Sequence, residues 1–384
     1  MSRTRIISMG KGKRKLLVII PSLQPGGAEL VLLNILRWLP DEYETELCVG
    51  MHHGRFFDEV PGNVKVTILF RNVFLARVLT FVYIKFNFKL IYRIRVRRKL
   101  KGRYDVAVSF IDSSLTDLLF MLPEQPGVTI SWIHASKASY SNYAKFYRGR
   151  YLARVIEQRY SRLDRLVFVS HDAMEEFISL LGRYPDMRVI YNVLDADRKR
   201  EMAEAFVPNN QEGIGLVAMG SLYPVKGYDR LIAACGMLKD EGLEFRLRIF
   251  GEGPLKAVLQ RQIDAAGLGR QVILEGYHDN PFPYLKASDL FVMTSLSEAL
   301  PTALCEAILF GRPVVVTDCS GCREIVDHGR YGMMTGQSPG EIYDGLKAMI
   351  TDPVLRERYG TLAQERAGIF DDREAFRQIS EVLQ

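Results

Sequence analysis

A chain of 384 residues is too long for one ordinary α/β domain and suits two, each large enough to bury its own core. With 48% hydrophobic residues, 25% charged residues and a net charge of +6, it has the balance of a folded globular protein, which excludes a disordered or fibrous chain. Five cysteines, an odd number with no dense framework, fit thiols kept reduced and exclude a disulfide scaffold.

The amino terminus is basic, with Arg3, Arg5, Lys11, Lys13, Arg14 and Lys15 ahead of an apolar run at 16–20 that ends at Pro21. That run is too short for the apolar region of a signal peptide, so it is predicted as a first buried parallel strand and the protein is expected in the cytoplasm. Strand-like runs at 45–49, 64–69, 104–110, 128–133 and 166–169 then alternate with helical patterns, the rhythm of a parallel sheet. A polar stretch at 207–213 interrupts it and reads as a linker. Runs at 215–219, 246–250, 271–274, 290–294 and 314–317 start it again. The expectation is an α/β protein of two Rossmann-like, doubly wound domains facing a central cleft, over 1–207 and 208–365, with the helical stretch 366–384 packing back on the first.

In open α/β sheets ligands sit beyond the carboxyl ends of the strands. Gly26 and Gly27 follow the first strand and open a helix, where paired glycines let the backbone approach a phosphate at the positive helix end. The spacing is not G-x-G-x-x-G and no acidic residue ends a following strand, which argues against a dinucleotide oxidoreductase. Taken alone, the pair reads equally as a plain turn. After the run at 290–294, Pro301 suits the first turn of a helix, so that the amides of Thr302 and Ala303 would head an anion site. Glu298 would lie in the loop and Glu306 on the helix, and carboxylates beside a phosphate make chemical sense if they hold the hydroxyls of a sugar and a ribose. His134 ends an apolar strand at the first domain's carboxyl edge, a place equally open to an ordinary loop histidine.

Other features carry less. Cys319 and Cys322 form a C-x-x-C with no second pair, and read as a tight turn after a strand. Asp195-Ala196-Asp197 is a D-x-D whose first aspartate belongs to the preceding Asn192-Val193-Leu194 segment, and His52-His53 has no partner at ligand spacing. No catalytic metal and no cofactor are expected.

Between Arg71 and Arg103 there are eleven lysines and arginines and no acid, so the rest of the chain is net acidic. Phe74, Leu75, Val78, Leu79, Phe81, Val82, Tyr83, Ile84, Phe86, Phe88, Leu90, Ile91 and Tyr92 are interleaved with them, a mixture suited to peripheral contact with an anionic membrane on its inner face. The apolar run at 73–84 is broken by Arg77 and too short to span a bilayer. The plainer alternative is a helix whose apolar side fills the core. A nucleic-acid-binding protein without catalysis would explain the basic stretch but not Glu298, Glu306 and the glycines, and no nucleic-acid motif is present.

The segment from Glu298 to Glu306 resembles the E-x7-E motif of the retaining glycosyltransferases of family 4, which have the GT-B fold. Further matches run in the family's order: Gly26-Gly27, Trp132-Ile133-His134, Val169-Ser170, Ile190 to Asp195, Gly220-Ser221-Leu222 with Lys226-Gly227, and Gly251-Glu252-Gly253-Pro254. The likeness covers nearly the whole chain. It implies a metal-independent hexosyl transfer from a nucleotide sugar, UDP favoured, to a glycan or lipid-linked acceptor in bacterial polysaccharide, lipopolysaccharide or capsule assembly. Glu306 would hold the ribose hydroxyls, Glu298 those of the donor sugar, and Lys226 the diphosphate. His134 would bond a donor hydroxyl while its carbonyl stabilises the cationic sugar in a front-side displacement. The catalytic set is thus His134, Lys226 and Glu298. The donor-binding set adds Gly26, Gly27, Ser221, Gly251, Gly253, Tyr277, Leu300, Pro301, Thr302 and Glu306. One departure stands out: Ser221 occupies the place of a family arginine, a loss that helix amides or Arg323 would have to offset.

Overall fold

The computed structural model describes residues 12–136, 157–208 and 213–384. Arg3, Arg5 and Lys11 of the basic terminus and 209–212 of the polar stretch lie outside them. Among the described residues the first sheet comprises β1 (Arg14–Ile20), β2 (Tyr43–Met51), β3 (Lys65–Phe70), β4 (Val106–Ser109), β5 (Val128–Ile133), β6 (Arg165–Phe168) and β7 (Met187–Val189). Its order is β3-β2-β1-β4-β5-β6-β7. The second comprises β8 (Ile214–Met219), β9 (Phe245–Phe250), β10 (Val272–Gly276), β11 (Leu290–Met293), β12 (Val314–Thr317) and β13 (Met333–Thr335). Its order is β10-β9-β8-β11-β12-β13, and the pairs in both sheets are parallel. Each order reverses beside its first strand, which is the switch point where such sheets open a crevice.

Runs such as Leu16 to Ile20 and Val314 to Val316 are buried on both faces, as parallel strands between helix layers must be. The helix Gly27–Trp38 turns Val31, Leu32, Leu33, Ile35 and Leu36 inward. One apolar cluster runs through both domains, joining Leu16 and Val108 to Leu300, Leu304 and Ile379. β7 and β13 have no counterpart in the sequence reading, because three residues are too few to show a period.

The chain crosses between domains earlier than the polar stretch suggests. The helix Ala196–Met202 contacts the second domain: Lys199 reaches Glu306, and Asn280 Nδ2 donates to the Met202 carbonyl at 2.7 Å. The carboxyl-terminal helix Asp372–Val382 turns Ala375, Ile379 and Val382 inward and lies on the first domain. Phe376 stacks on Trp38 with centroids 4.1 Å apart, and Arg165 donates to the Val382 carbonyl. The Asp372 carboxylate accepts from the amides of Leu194 (2.7 Å) and Ala196 (2.8 Å), pinning the crossing point itself. No described helix is long and apolar enough to cross a membrane.

Candidate functional site

The second domain's carboxyl edge is shaped by glycines that bring loops into backbone contact. Gly251 leaves β9 at φ 149°, and a Cβ there would lie 2.0 Å from the Gly220 carbonyl oxygen; one on Gly253 would lie 2.6 Å from that of Leu222. No side chain fits, so the loops after β8 and β9 lie flush. Ser221 is exposed at this edge. The loop after β8 continues into the turn Pro224–Lys226 and meets the end of β11, where Thr294 Oγ1 donates to the carbonyls of Lys226 and Gly227 at 3.1 Å each. Lys226 Nζ is thereby set 2.5 Å from Glu298 Oε1, which also accepts from Ser295 Oγ at 2.6 Å. This ion pair bridges β8 and β11, the strands that flank the switch point.

Past Glu298 the chain enters the helix Thr302–Leu309 with Pro301 at the N-cap, one position before the first turn expected for it. Leu300 is buried in the shared apolar cluster. Glu306 is 5% exposed, and its Oε1 lies 2.7 Å from Lys199 Nζ. The C-x-x-C is not a loop turn: Cys319 caps the helix Ser320–Ile325 and both thiols are buried. The Cys319 thiol and burial push that of Cys322 well above its ordinary value. This helix heads the Glu298 backbone, whose carbonyl accepts from Ser320 Oγ at 3.0 Å and Gly321 N at 3.2 Å. Arg323, the cation named to offset the missing arginine, donates to Asp318 Oδ1 from Nε (2.8 Å) and Nη2 (2.6 Å).

The first domain presents its own carboxyl edge to these groups. Gly26 caps the helix Gly27–Trp38, and a Cβ on Gly27 would lie 3.1 Å from Thr302 Oγ1, so the glycine pair sits against the head of the Glu306 helix. The Arg55 guanidinium lies 5.6 Å over the Tyr277 ring. Ser297 Oγ donates to Ser136 Oγ at 2.8 Å, and Ser170 Oγ to the Ala299 carbonyl at 2.6 Å. Glu324 accepts from the His171 and Asp172 amides at the head of the helix His171–Leu181 (3.0 and 2.7 Å) and from Tyr191 OH (2.7 Å). A carboxylate there meets the positive helix end, a favourable contact across the domain boundary. His134 packs on Phe110 with centroids 4.9 Å apart, and its Nε2 is shielded from solvent without a hydrogen-bond partner. Burial pushes its pKa down to about 3, so the imidazole is neutral at pH 7.

The structure thus brings Gly26, Gly27, Ser221, Lys226, Gly251, Gly253, Tyr277, Glu298, Pro301, Thr302 and Glu306 to the facing edges, with His134 at the first domain's edge. Lys199, Glu324, Arg55 and the serine contacts were not foreseen. Lys199 lies within Arg198-Lys199-Arg200, where nothing in the pattern separates a buried lysine from solvated neighbours. Among the described residues no group of three or more His, Cys, Asp or Glu side chains is placed to hold a metal ion.

Two doubly wound domains meeting at their carboxyl edges, with a lysine–glutamate pair at the second switch point, define a protein of the GT-B fold. Residues 25–198 match the model of Glycosyltransferase Family 4 and residues 199–366 that of Glycosyl transferases group 1. The chain belongs to this glycosyltransferase family. It is similar to the N-acetylgalactosamine-N,N'-diacetylbacillosaminyl-diphospho-undecaprenol 4-alpha-N-acetylgalactosaminyltransferase of Campylobacter jejuni, 28% identical over 56% of this chain and 59% of that one. It is also similar to the lipopolysaccharide core biosynthesis glycosyltransferase LpsE of Rhizobium meliloti, 26% identical over 70% of this chain and 81% of that one. The first of these matches therefore spans less than two thirds of its relative. In fold it resembles Anabaena Alr3699/HepE, whose crystal structure holds UDP-glucose: the TM-score is 0.71 and the identity 20%, over 96% of this chain and 99% of that one.

Proposed function

We propose that the chain is a retaining, metal-independent glycosyltransferase that moves a sugar from a nucleoside diphosphate donor, UDP favoured, to a lipid-linked glycan in bacterial polysaccharide, lipopolysaccharide or capsule assembly. The observation that carries this reading is the Lys226–Glu298 pair at the switch point, with Glu306 on the helix beyond it and the glycine pair opposite. In this reading Lys226 exchanges Glu298 for the donor diphosphate, where negative charge builds as the glycosidic bond breaks, and an ammonium in a low-dielectric cleft stabilises that charge strongly. Glu298 is then free to accept from sugar hydroxyls. Glu306 receives the ribose hydroxyls. A donor hydroxyl meets neutral His134 at Nε2 once donor binding uncovers that atom, and the backbone carbonyl faces the cationic sugar. The test is a screen of nucleotide sugars with release of the nucleoside diphosphate as readout. Release from no donor, with a lipid-linked acceptor present, overturns the proposal.

The basic segment supports a peripheral seat on an anionic membrane, where such an acceptor enters the cleft. The helix Val73–Phe86 buries only Ala76 and Tyr83, whereas Phe74, Phe81 and Phe86 are 78%, 53% and 66% exposed. Each basic residue near such a surface contributes on the order of 1 kcal/mol. Co-sedimentation with liposomes should rise with anionic lipid, fall with salt, and fall again when Arg93, Arg95, Arg97 and Arg98 become glutamine. Indifference to all three would leave the patch as plain surface.

A further inference from the structure

We propose that Lys199 is a positioning residue of the nucleotide site, holding the Glu306 carboxylate in place through Oε1 so that it reads the ribose hydroxyls. The inference rests on the reading of Glu306 as the ribose ligand. It concerns a side chain that comes from the interdomain crossing and not from the donor-binding motif.

Glu306 is 5% exposed and flanked by the fully buried Leu304, Cys305 and Ala307. A charged group this buried needs a partner to offset its lost hydration. The partner is Lys199 Nζ, 2.7 Å from Oε1, on a side chain only 12% exposed that also passes 5.7 Å from the Phe282 ring. A buried lysine requires its partner as much as Glu306 does, so each fixes the other. The pair lies against Cys305, whose thiol is pushed well up by burial and then by the Glu306 charge. The ammonium is not on a floppy support. Its helix is tied at the start by Ala196 N on Asp372 (2.8 Å) and at the end by Asn280 on the Met202 carbonyl (2.7 Å).

The consequence is selectivity. An ionised carboxylate accepts only, which suits two neighbouring hydroxyls that must each donate. A site built to bond a hydroxyl also rejects the analogue that lacks it, because the buried acceptor is left unpaired.

The test compares the binding of UDP and 2'-deoxy-UDP to the full chain by calorimetry, with circular dichroism and cooperative melting as checks on folding. Wild type should prefer UDP by on the order of tenfold or more, as a charge-assisted hydrogen bond implies. Lys199→Met should cut this preference to within about threefold, by the loss of that bond, while Lys199→Arg restores most of it. If the methionine variant does not fold, Lys199→Gln, whose amide still donates to Glu306, should show a reduced preference. Glu306→Leu, which removes the acceptor, separates the two ideas: a preference that survives it overturns the ribose reading of Glu306. A preference that collapses in Glu306→Leu but stands unchanged in the folded lysine variants overturns the role of Lys199 alone.

Discussion

Replacing Lys226 by methionine keeps the length of the side chain and removes its charge, with two separable effects. On stability, Glu298 keeps the Ser295 hydroxyl but loses the ammonium 2.5 Å away. The pair's side chains are 20% and 12% exposed, between an open surface pair and a buried one, so the cost is about 2 kcal/mol, a drop of several degrees in Tm. On turnover, losing the cation that faces the leaving diphosphate costs roughly a hundred- to a thousandfold in kcat, or about 3–4 kcal/mol. The double variant Lys226→Met with Glu298→Gln tells these apart: the neutral amide still accepts from Ser295, so stability recovers while turnover stays low. The assay is nucleoside diphosphate release at saturating donor and acceptor, well below the melting temperature, alongside thermal melts. A single variant within a few-fold of wild-type kcat would refute the assignment, and so would a double variant with turnover restored.

Turnover should persist in excess EDTA, and activity lost to chelation and restored by manganese or magnesium would overturn the metal-free proposal. Asp372→Ala removes two charge-assisted bonds to the Leu194 and Ala196 amides, so we expect a loss of about 3 kcal/mol and faster hydrogen exchange through the helix Asp372–Val382. Unaltered exchange there would show that Trp38–Phe376 packing suffices. Burial raises the Glu29 carboxyl from 4.5 to about 7. Its favourable contribution is therefore complete below the unfolded value and is lost as pH rises through the folded one. Between pH 4.5 and pH 8 the stability of Glu29→Gln should gain on the order of 2 kcal/mol on wild type, whereas a difference flat with pH would contradict this.

The strands of both sheets were legible wherever a run was long enough to be buried on two faces, as at Leu16 to Ile20 and Val314 to Val316. Glu298 and Glu306 drew attention for a related reason, since they follow a strand and the carboxyl end of a parallel strand is where its sheet opens, whereas Lys226 entered only through the family resemblance. The C-x-x-C was misread as a loop because the six-residue helix that Cys319 caps is too short to show a period. Composition marks the polar stretch at 207–213, but no local pattern shows that Asp372 holds the backbone at Leu194 from a distance of 178 residues in sequence. The sequence does not show that Arg323 meets Asp318, nor that Lys199, one of three consecutive cations, meets Glu306. What the sequence determines by itself is local: the period of apolar residues, the glycines at strand ends, the residue that heads a helix. Which cation meets which carboxylate is decided only by the tertiary structure, because a charge pair depends on a separation of about 3 Å that no local pattern encodes.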